Sequence, residues 1–158
     1  MKTLLLGMGN PFLSDDAVGI RLARDFRSAL AGVPDLEIIE ECPVGGLGLL
    51  EILPGYDCII VLDAIQTPGG VAGTWHSFGP EALCDTLHLG SLHDLNFASA
   101  IELGRLIGIP LPHAIHIFAV EVQEIRTFSE RMSAALEADY PRYSAEILSS
   151  VRALLGSR

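Results

Sequence analysis

The chain has 158 residues, close to the roughly 150 of one domain, so a single unit over 1–158 with room for a sizeable core is expected. Ten Lys and Arg against twenty Asp and Glu leave a formal charge of -10, which argues against nucleic acid and against an anionic membrane surface as partners. Hydrophobic residues at 49% with charged ones at 19% exclude a disordered chain.

Thr3 to Leu6 is a short apolar run ending in glycines, after which Val18, Leu22, Phe26 and Leu30 recur every four residues; this predicts strand, turn and helix. Leu36 to Ile39 reads as a second strand, and Gly45 and Gly46 precede a short apolar helix with Leu47, Leu50 and Leu53. Cys58 to Ala64 is apolar except for Asp63 near its end, as in a parallel strand buried on both faces. Thr74 to Phe78 alternates between glycines, which predicts an edge strand, antiparallel to its neighbour.

Asp94 to Ile107 is predicted helical, with Leu95, Ala98, Ile101, Leu103 and Leu106 as its apolar face, and Ile115 to Val122 as another buried strand. Thr127 and Glu130 have capping-box spacing for a helix through Leu136, and Pro141 opens a last helix through Leu155. Alternating strands and helices predict an α/β, three-layer αβα fold: an open, mostly parallel twisted sheet of about five strands with helices on both faces. Ligands in such folds gather beyond the carboxyl ends of the strands. That draws attention to Gly7–Asp16, Glu40–Gly46, Asp63–Gly70 and the segment after Glu121.

Gly7-Met8-Gly9-Asn10 invites a dinucleotide reading, but the third glycine of that fingerprint is missing. Asp15 and Asp16 also put negative charge where a phosphate would bind. Their plain reading is structural: Ser14 caps the helix, and acids in a first turn offset its dipole. A carboxylate such as Asp63 at the end of an apolar strand loses hydration unless it is paired, hydrogen-bonded or bound to metal. Its structural alternative is to accept amide hydrogen bonds from the following loop.

His76, His113 and His116 read as structural or exposed, and His88 lies in a loop. His93 stands at a helix start in Ser91-Leu92-His93-Asp94, where the dipole favours a neutral, metal-competent ring. Asp16, Asp63 and His93 together offer two carboxylates and one imidazole, a donor set suited to nickel, iron or zinc. A competing reading makes Cys42 a nucleophile with His93 as its base, although a buried apolar role is commoner for such a cysteine.

The three cysteines, Cys42, Cys58 and Cys84, show no CxxC spacing, so neither a disulfide framework nor a thiolate zinc site is expected. No apolar run approaches the roughly 20 residues that cross a bilayer. Gly7, Gly9, Asn10 and Pro11 end the opening run before a signal-peptide core forms. A cytoplasmic protein is expected.

The segment Gly7-Met8-Gly9-Asn10-Pro11-Phe12-Leu13-Ser14-Asp15-Asp16-Ala17-Val18-Gly19, followed by Val61-Leu62-Asp63-Ala64 and Ser91-Leu92-His93, resembles the hydrogenase maturation proteases. The order of elements agrees over nearly the full length. The resemblance implies a cytoplasmic endopeptidase that removes the C-terminal extension of a nickel-iron hydrogenase large-subunit precursor after nickel insertion. It implies metal ligands at Asp16, Asp63 and His93, with nickel carried by the substrate and zinc or cadmium as substitutes. The implied catalytic acids are Asp16, Asp63 and Glu40, and Gly45 and Gly46 are expected to let a substrate strand pass close to backbone. In the loop after the second strand the family pattern is Asp-Gly-Gly-Thr, whereas this chain has Glu40-Glu41-Cys42-Pro43-Val44-Gly45-Gly46. A non-catalytic metal-sensing or chaperone module, and a Rossmann-like nucleotide-binding protein, are the alternatives.

Overall fold

The computed structural model describes residues 1–42, 45–79 and 92–156, apart from the side chains of 92–96. The elements in chain order are β1 (Thr3–Gly7), α1 (Val18–Ala29), β2 (Leu36–Ile39), α2 (Leu49–Ile52), β3 (Cys58–Ile65), β4 (Trp75–Phe78), α3 (Leu92–Leu106), β5 (Ala114–Glu121) and α4 (Ala134–Gly156). The strands form one five-stranded sheet in the order β2-β1-β3-β5-β4. β1, β2, β3 and β5 are parallel, and β4 runs antiparallel at the edge with Trp75 opposite Val120. This is the expected three-layer α/β architecture, edge strand included.

Successive strand residues point to opposite faces, and the two faces collect different helices. Leu5, Ile60, Leu62, Phe118 and Val120 pack with Val18, Leu22 and Phe26 of α1 and with Leu136, Tyr143, Ile147 and Val151 of α4. Leu4, Leu6, Ile59, Val61 and Ile117 pack with Leu49, Leu53, Phe97, Ala100 and Ile101 from the α2 and α3 side. All eight residues of β3 are buried, which is why its sequence is a continuous apolar run rather than an alternation. Fully burying each of these aliphatic side chains contributes about 2 kcal/mol.

Connections from β1 and β3 leave the sheet in opposite directions, to β2 on one side and β5 on the other. The topological switch point, where a crevice opens beyond the strand ends, therefore lies between β1 and β3.

Four expectations are corrected. The capping box at Thr127 and Glu130 does not start a helix, and Pro141 does not open one: a single helix, α4, runs from Ala134 through Pro141 to Gly156. Glu124 already accepts the amides of Arg126 and Thr127, at 2.8 and 2.9 Å. Leu13 pairs with Ser129 as an isolated parallel bridge, which ties the 122–133 segment to the loop after β1. Pro141 and Glu137, whose carbonyl lies four residues before it, are both exposed, and an exposed position is where the bond a proline cannot make costs least.

Ser14 does not cap α1; it has φ of 51° and its hydroxyl donates to the Arg131 carbonyl at 3.0 Å. The buried stripe of α3 is Phe97, Ala100, Ile101 and Gly104, while Leu106 is exposed, because a 3.6-residue period phased on Phe97 turns Leu106 outward. Near α2, Leu49 and Leu53 are buried and Leu47 is exposed; a 3-10 turn over Gly46–Gly48 precedes the helix and sets that phase.

Candidate active site

At the carboxyl end of β1 the chain folds back on itself closely. A Cβ on Gly7 would lie 2.1 Å from the Glu40 carbonyl oxygen, and one on Gly9 would lie 1.9 Å from the carbonyl of Asp16. Gly9 also has φ of 131°, a region that disfavours side chains. These glycines admit backbone, not a pyrophosphate. The Asn10 amide donates to Asp16 Oδ2 at 2.9 Å, so a protein carboxylate occupies the position where a dinucleotide fold would present that amide to phosphate. Asp16 lies in a 3-10 turn over Ser14–Ala17 that leads into α1 and is 7% exposed.

Gly19, in the first turn of α1, brings the helix onto the sheet: a Cβ there would sit 2.2 Å from the Leu62 carbonyl and 2.5 Å from that of Met8. The Met8 amide donates to the same Leu62 carbonyl at 2.9 Å. The turn bearing Asp16 is thus clamped against the last residues of β3, and the next residue along is Asp63. Asp63 is 3% exposed, with Oδ1 accepting the Ala64 amide at 2.8 Å. By strand alternation it faces the same side as Ile59 and Val61, the side covered by α2 and α3.

α3 begins at Leu92, so the backbone of His93 is in its first turn. Its ring, with residues 80–91 including Cys84, His88 and Ser91, lies outside what the structure describes. Among the described residues, no three His, Cys, Asp or Glu side chains converge as a metal site.

The adjacent Asp15 has a different role. It is 0% exposed and accepts the Ser133 amide at 2.6 Å, the Ser133 hydroxyl at 2.9 Å and the amides of Glu124 and Gln123 at 3.0 and 3.3 Å. This carboxylate ties the start of α4 and the loop after β5 to the turn that carries Asp16.

Glu40 forms an ion pair with Arg27 and a longer one with Arg24 at 3.8 Å, which places its carboxylate against α1. Gly46 has φ of 54° and opens the 3-10 turn, whereas Gly45 is extended with open space where a Cβ would stand. Pro43 and Val44 lie outside the described residues. Cys58 is buried within β3 and Cys42 is half-buried against the α2 and α3 cluster.

Glu121, which sequence reasoning passed over, is 2% exposed at the end of β5. It accepts the Thr67 amide at 3.2 Å and the Thr67 hydroxyl, and contacts His76 Nε2 at 3.1 Å. A Cβ on Gly70 would come within 2.2 Å of its carboxylate, so the loop after Asp63 wraps around this buried acid. The signal was present: like Asp63, Glu121 is a carboxylate near the end of a buried apolar strand.

An open groove of about 440 Å³ is lined by Phe12, Ala17, Ile20, Arg21, Glu41 and Met132.

Comparison with known proteins gives a consistent result. The family described as hydrogenase maturation protease (HycI) matches residues 20–150. A curated relative, the Hydrogenase 2 maturation protease of Escherichia coli K12, is 32% identical over 74 residues, which span 47% of this chain and 44% of the relative. The chain therefore aligns with less than half the length of that curated protein.

Among solved structures, the hydrogenase maturating endopeptidase HybD from E. coli superposes with a TM-score of 0.74 at 25% identity, over 96% of this chain and 93% of that one. The [NiFe] hydrogenase maturation protease HybD from Thermococcus kodakarensis shares the fold, with a TM-score of 0.69 at 21% identity over 96% and 99% of the two chains. With the family match extending from the first turns of α1 almost to the end of α4, this chain belongs to the hydrogenase maturation protease family.

Proposed function

We propose that this protein is a cytoplasmic endopeptidase that removes the C-terminal extension of a nickel-iron hydrogenase large-subunit precursor after nickel insertion, and that it recognises nickel carried by that substrate. One observation carries the reading: two carboxylates, Asp16 and Asp63, are buried where the α1 turn is clamped onto the end of β3. Burying charge is expensive unless a partner or a cation compensates it.

In this reading Asp16, Asp63 and the imidazole of His93 complete open coordination positions on the precursor's nickel, a mixed oxygen and nitrogen set suited to a borderline cation. Zinc and cadmium fit the same donors. Productive docking then requires loaded precursor, so cleavage reports insertion.

Hydrolysis needs a water deprotonated as it attacks and a carbonyl polarised for the attack. Asp16 or Asp63 accepts the water's proton and returns it to the leaving amine. The other holds its charge beside the reacting centre. Glu40 completes the proposed acids at the rim, where it pairs with Arg27 and Arg24. Gly45, with open space beside its backbone, and Gly46 border the path assigned to the substrate strand.

The test is incubation with nickel-loaded and nickel-free precursor, read by mass spectrometry. A single cut near the C-terminus of the loaded form alone is expected, lost in Asp63→Asn while the circular dichroism spectrum is kept. Calorimetry with nickel, zinc and cadmium should show binding that Asp16→Asn with His93→Ala removes. Equal cleavage of both precursors refutes recognition through nickel, and metal-dependent binding without cleavage makes the protein a metal-sensing or chaperone module.

A further inference from the structure

Glu121 is 2% exposed, and the hydrolysis outlined above makes no use of it. Around it Ile117, Val120 and Val122 bury aliphatic side chains, and an aliphatic residue at 121 would avoid the desolvation of a carboxylate. Among the described residues its one basic partner is His76, so pairing with a lysine or arginine does not account for the acid. What the carboxylate does is hold a loop.

That loop is the one that leaves Asp63. Glu121 Oε2 accepts the Thr67 amide at 3.2 Å and Oε1 accepts the Thr67 hydroxyl. The Gly73 amide donates to the Glu121 carbonyl at 3.0 Å, and the Glu121 amide to the Thr74 carbonyl at 2.7 Å. Gln66 adds side-chain bonds to the carbonyls of Val122 and Gln123, at 3.4 and 3.0 Å. The fit is close: a Cβ on Gly70 would lie 2.2 Å from Glu121 Oε2 and 2.9 Å from the Thr67 hydroxyl oxygen. Because the Gln123 amide donates to Asp15, the network reaches the turn that carries Asp16.

Sheet register brings this pair to the flank of Asp63. Asp63 is opposite Ala119, and Ala119 is opposite His76. The three residues stand abreast on neighbouring strands about 4.8 Å apart, on the face that also carries Val61, Ile117 and Phe78. The middle position holds only a methyl group. Glu121 lies two residues further along β5 on the same face, where His76 Nε2 meets its Oε1 at 3.1 Å. The His76 side chain is 44% exposed, so the pair meets solvent through the imidazole.

We propose that Glu121 and His76 are a positioning pair for Asp63. Glu121 fixes Thr67, four residues after Asp63, and with it the backbone that carries the Asp63 carboxylate; His76 keeps Glu121 in the rotamer that meets Thr67. Neither is assigned a contact with the scissile bond. The inference rests on the protease reading above. A hydrolytic acid must be held within about 0.5 Å of its working geometry, and a misplacement of about 1 Å can cost a hundredfold in rate. A buried carboxylate supplies that constraint because hydrogen bonds to a charged acceptor are stronger and more directional than aliphatic packing.

The test uses the full chain and nickel-loaded precursor, with initial rates read by mass spectrometry over a range of precursor concentrations. Thr67→Val removes the hydroxyl at nearly constant volume and should lower kcat about tenfold or more, with KM within about twofold of the parent. Thr67→Ser, which keeps the hydroxyl, should restore about half the parent rate or more. Glu121→Gln replaces an acceptor oxygen with a donor group and should lower kcat by a similar factor, which keeps the test available should Thr67→Val fail to fold. Combining the two should cost little more than either alone, because both remove the same contact.

A parent-like kcat in both single variants overturns the positioning pair and leaves the protease reading standing. Losses that Thr67→Ser does not restore, or that add in the double variant, also overturn it, since a shared contact is then not what is missing. A rise in KM with kcat kept assigns Thr67 to substrate binding and overturns it as well. No cleavage by the parent chain overturns the protease reading and the pair with it.

Discussion

Replacing Asp15 separates the two neighbouring acids that the sequence presents as a pair. Asp15 is fully buried and accepts four hydrogen bonds, three from backbone amides and one from the Ser133 hydroxyl. Asp15→Ala strands those donors in a buried site. Each hydrogen bond to a charged acceptor is worth about 1.5–3 kcal/mol and each orphaned amide costs about 1–3 kcal/mol. The terms overlap, and relaxation of the 122–133 loop lets some water in, so the net loss is about 3–5 kcal/mol. For a domain of 158 residues that lowers the melting temperature by on the order of 10 °C.

Asp15→Asn keeps one good acceptor and is expected to lose about half as much. Urea unfolding followed by circular dichroism gives the stability. Hydrogen exchange should show amides of residues 123, 124 and 133 exchanging faster. Asp16→Asn, by contrast, should move the urea midpoint little and act on metal binding and turnover. An Asp15→Ala loss below about 1 kcal/mol, with those amides still protected, refutes the anchoring role.

Three further outcomes follow from particular contacts. Gly19→Ala drives a methyl into the carbonyls of Leu62 and Met8, which as backbone cannot step aside; a loss of about 3 kcal/mol and slower cleavage are expected, and a stability equal to the parent in urea unfolding contradicts the close approach. Pro141→Ala restores an amide donor for the Glu137 carbonyl inside an exposed stretch of α4 and should stabilise by about 1–2 kcal/mol after the lost proline rigidity is counted; destabilisation instead would indicate a helix break at that residue.

Alkaline titration provides the pH test. Burial, with a hydrogen bond to Glu37, pushes Tyr56 up to about 12, and burial pushes Tyr140, which also bonds Asp25, and Tyr143 well above the ordinary phenol range. Each phenol holds its proton more tightly folded than unfolded, so its contribution to stability is complete below about pH 10 and is lost as pH rises from there through the folded values. Absorbance at the phenolate band should stay low near pH 10.5 in buffer and reach more than half its maximum in urea; equal curves contradict the burial.

How much of this was legible without a structure depends on the range over which each signal acts. The strands, α1 and the antiparallel edge were readable because periodicity and glycine placement act over a few residues, and a buried parallel strand leaves a continuous apolar run such as Cys58 to Ala64. Asp16, Asp63 and His93 were legible as candidates because a polar residue at a strand end or helix start has few inexpensive explanations.

The distinction between Asp15 and Asp16 was not legible. It depends on Ser133, Glu124 and Gln123, more than a hundred residues along the chain, which only the packed fold brings beneath the turn. The same distance hid the start of α4: a local capping box at Thr127 and Glu130 gave way to a parallel bridge between Leu13 and Ser129 and to the Asp15 carboxylate waiting at Ser133. Local propensity is worth tenths of a kcal/mol per residue, and a buried carboxylate with four donors outweighs it. Sequence by itself determined which segments were strands and which acids stood at their ends; tertiary structure decided that Asp15 holds the loops together while Asp16 accepts the Asn10 amide, because that choice is made by contacts that no local pattern encodes.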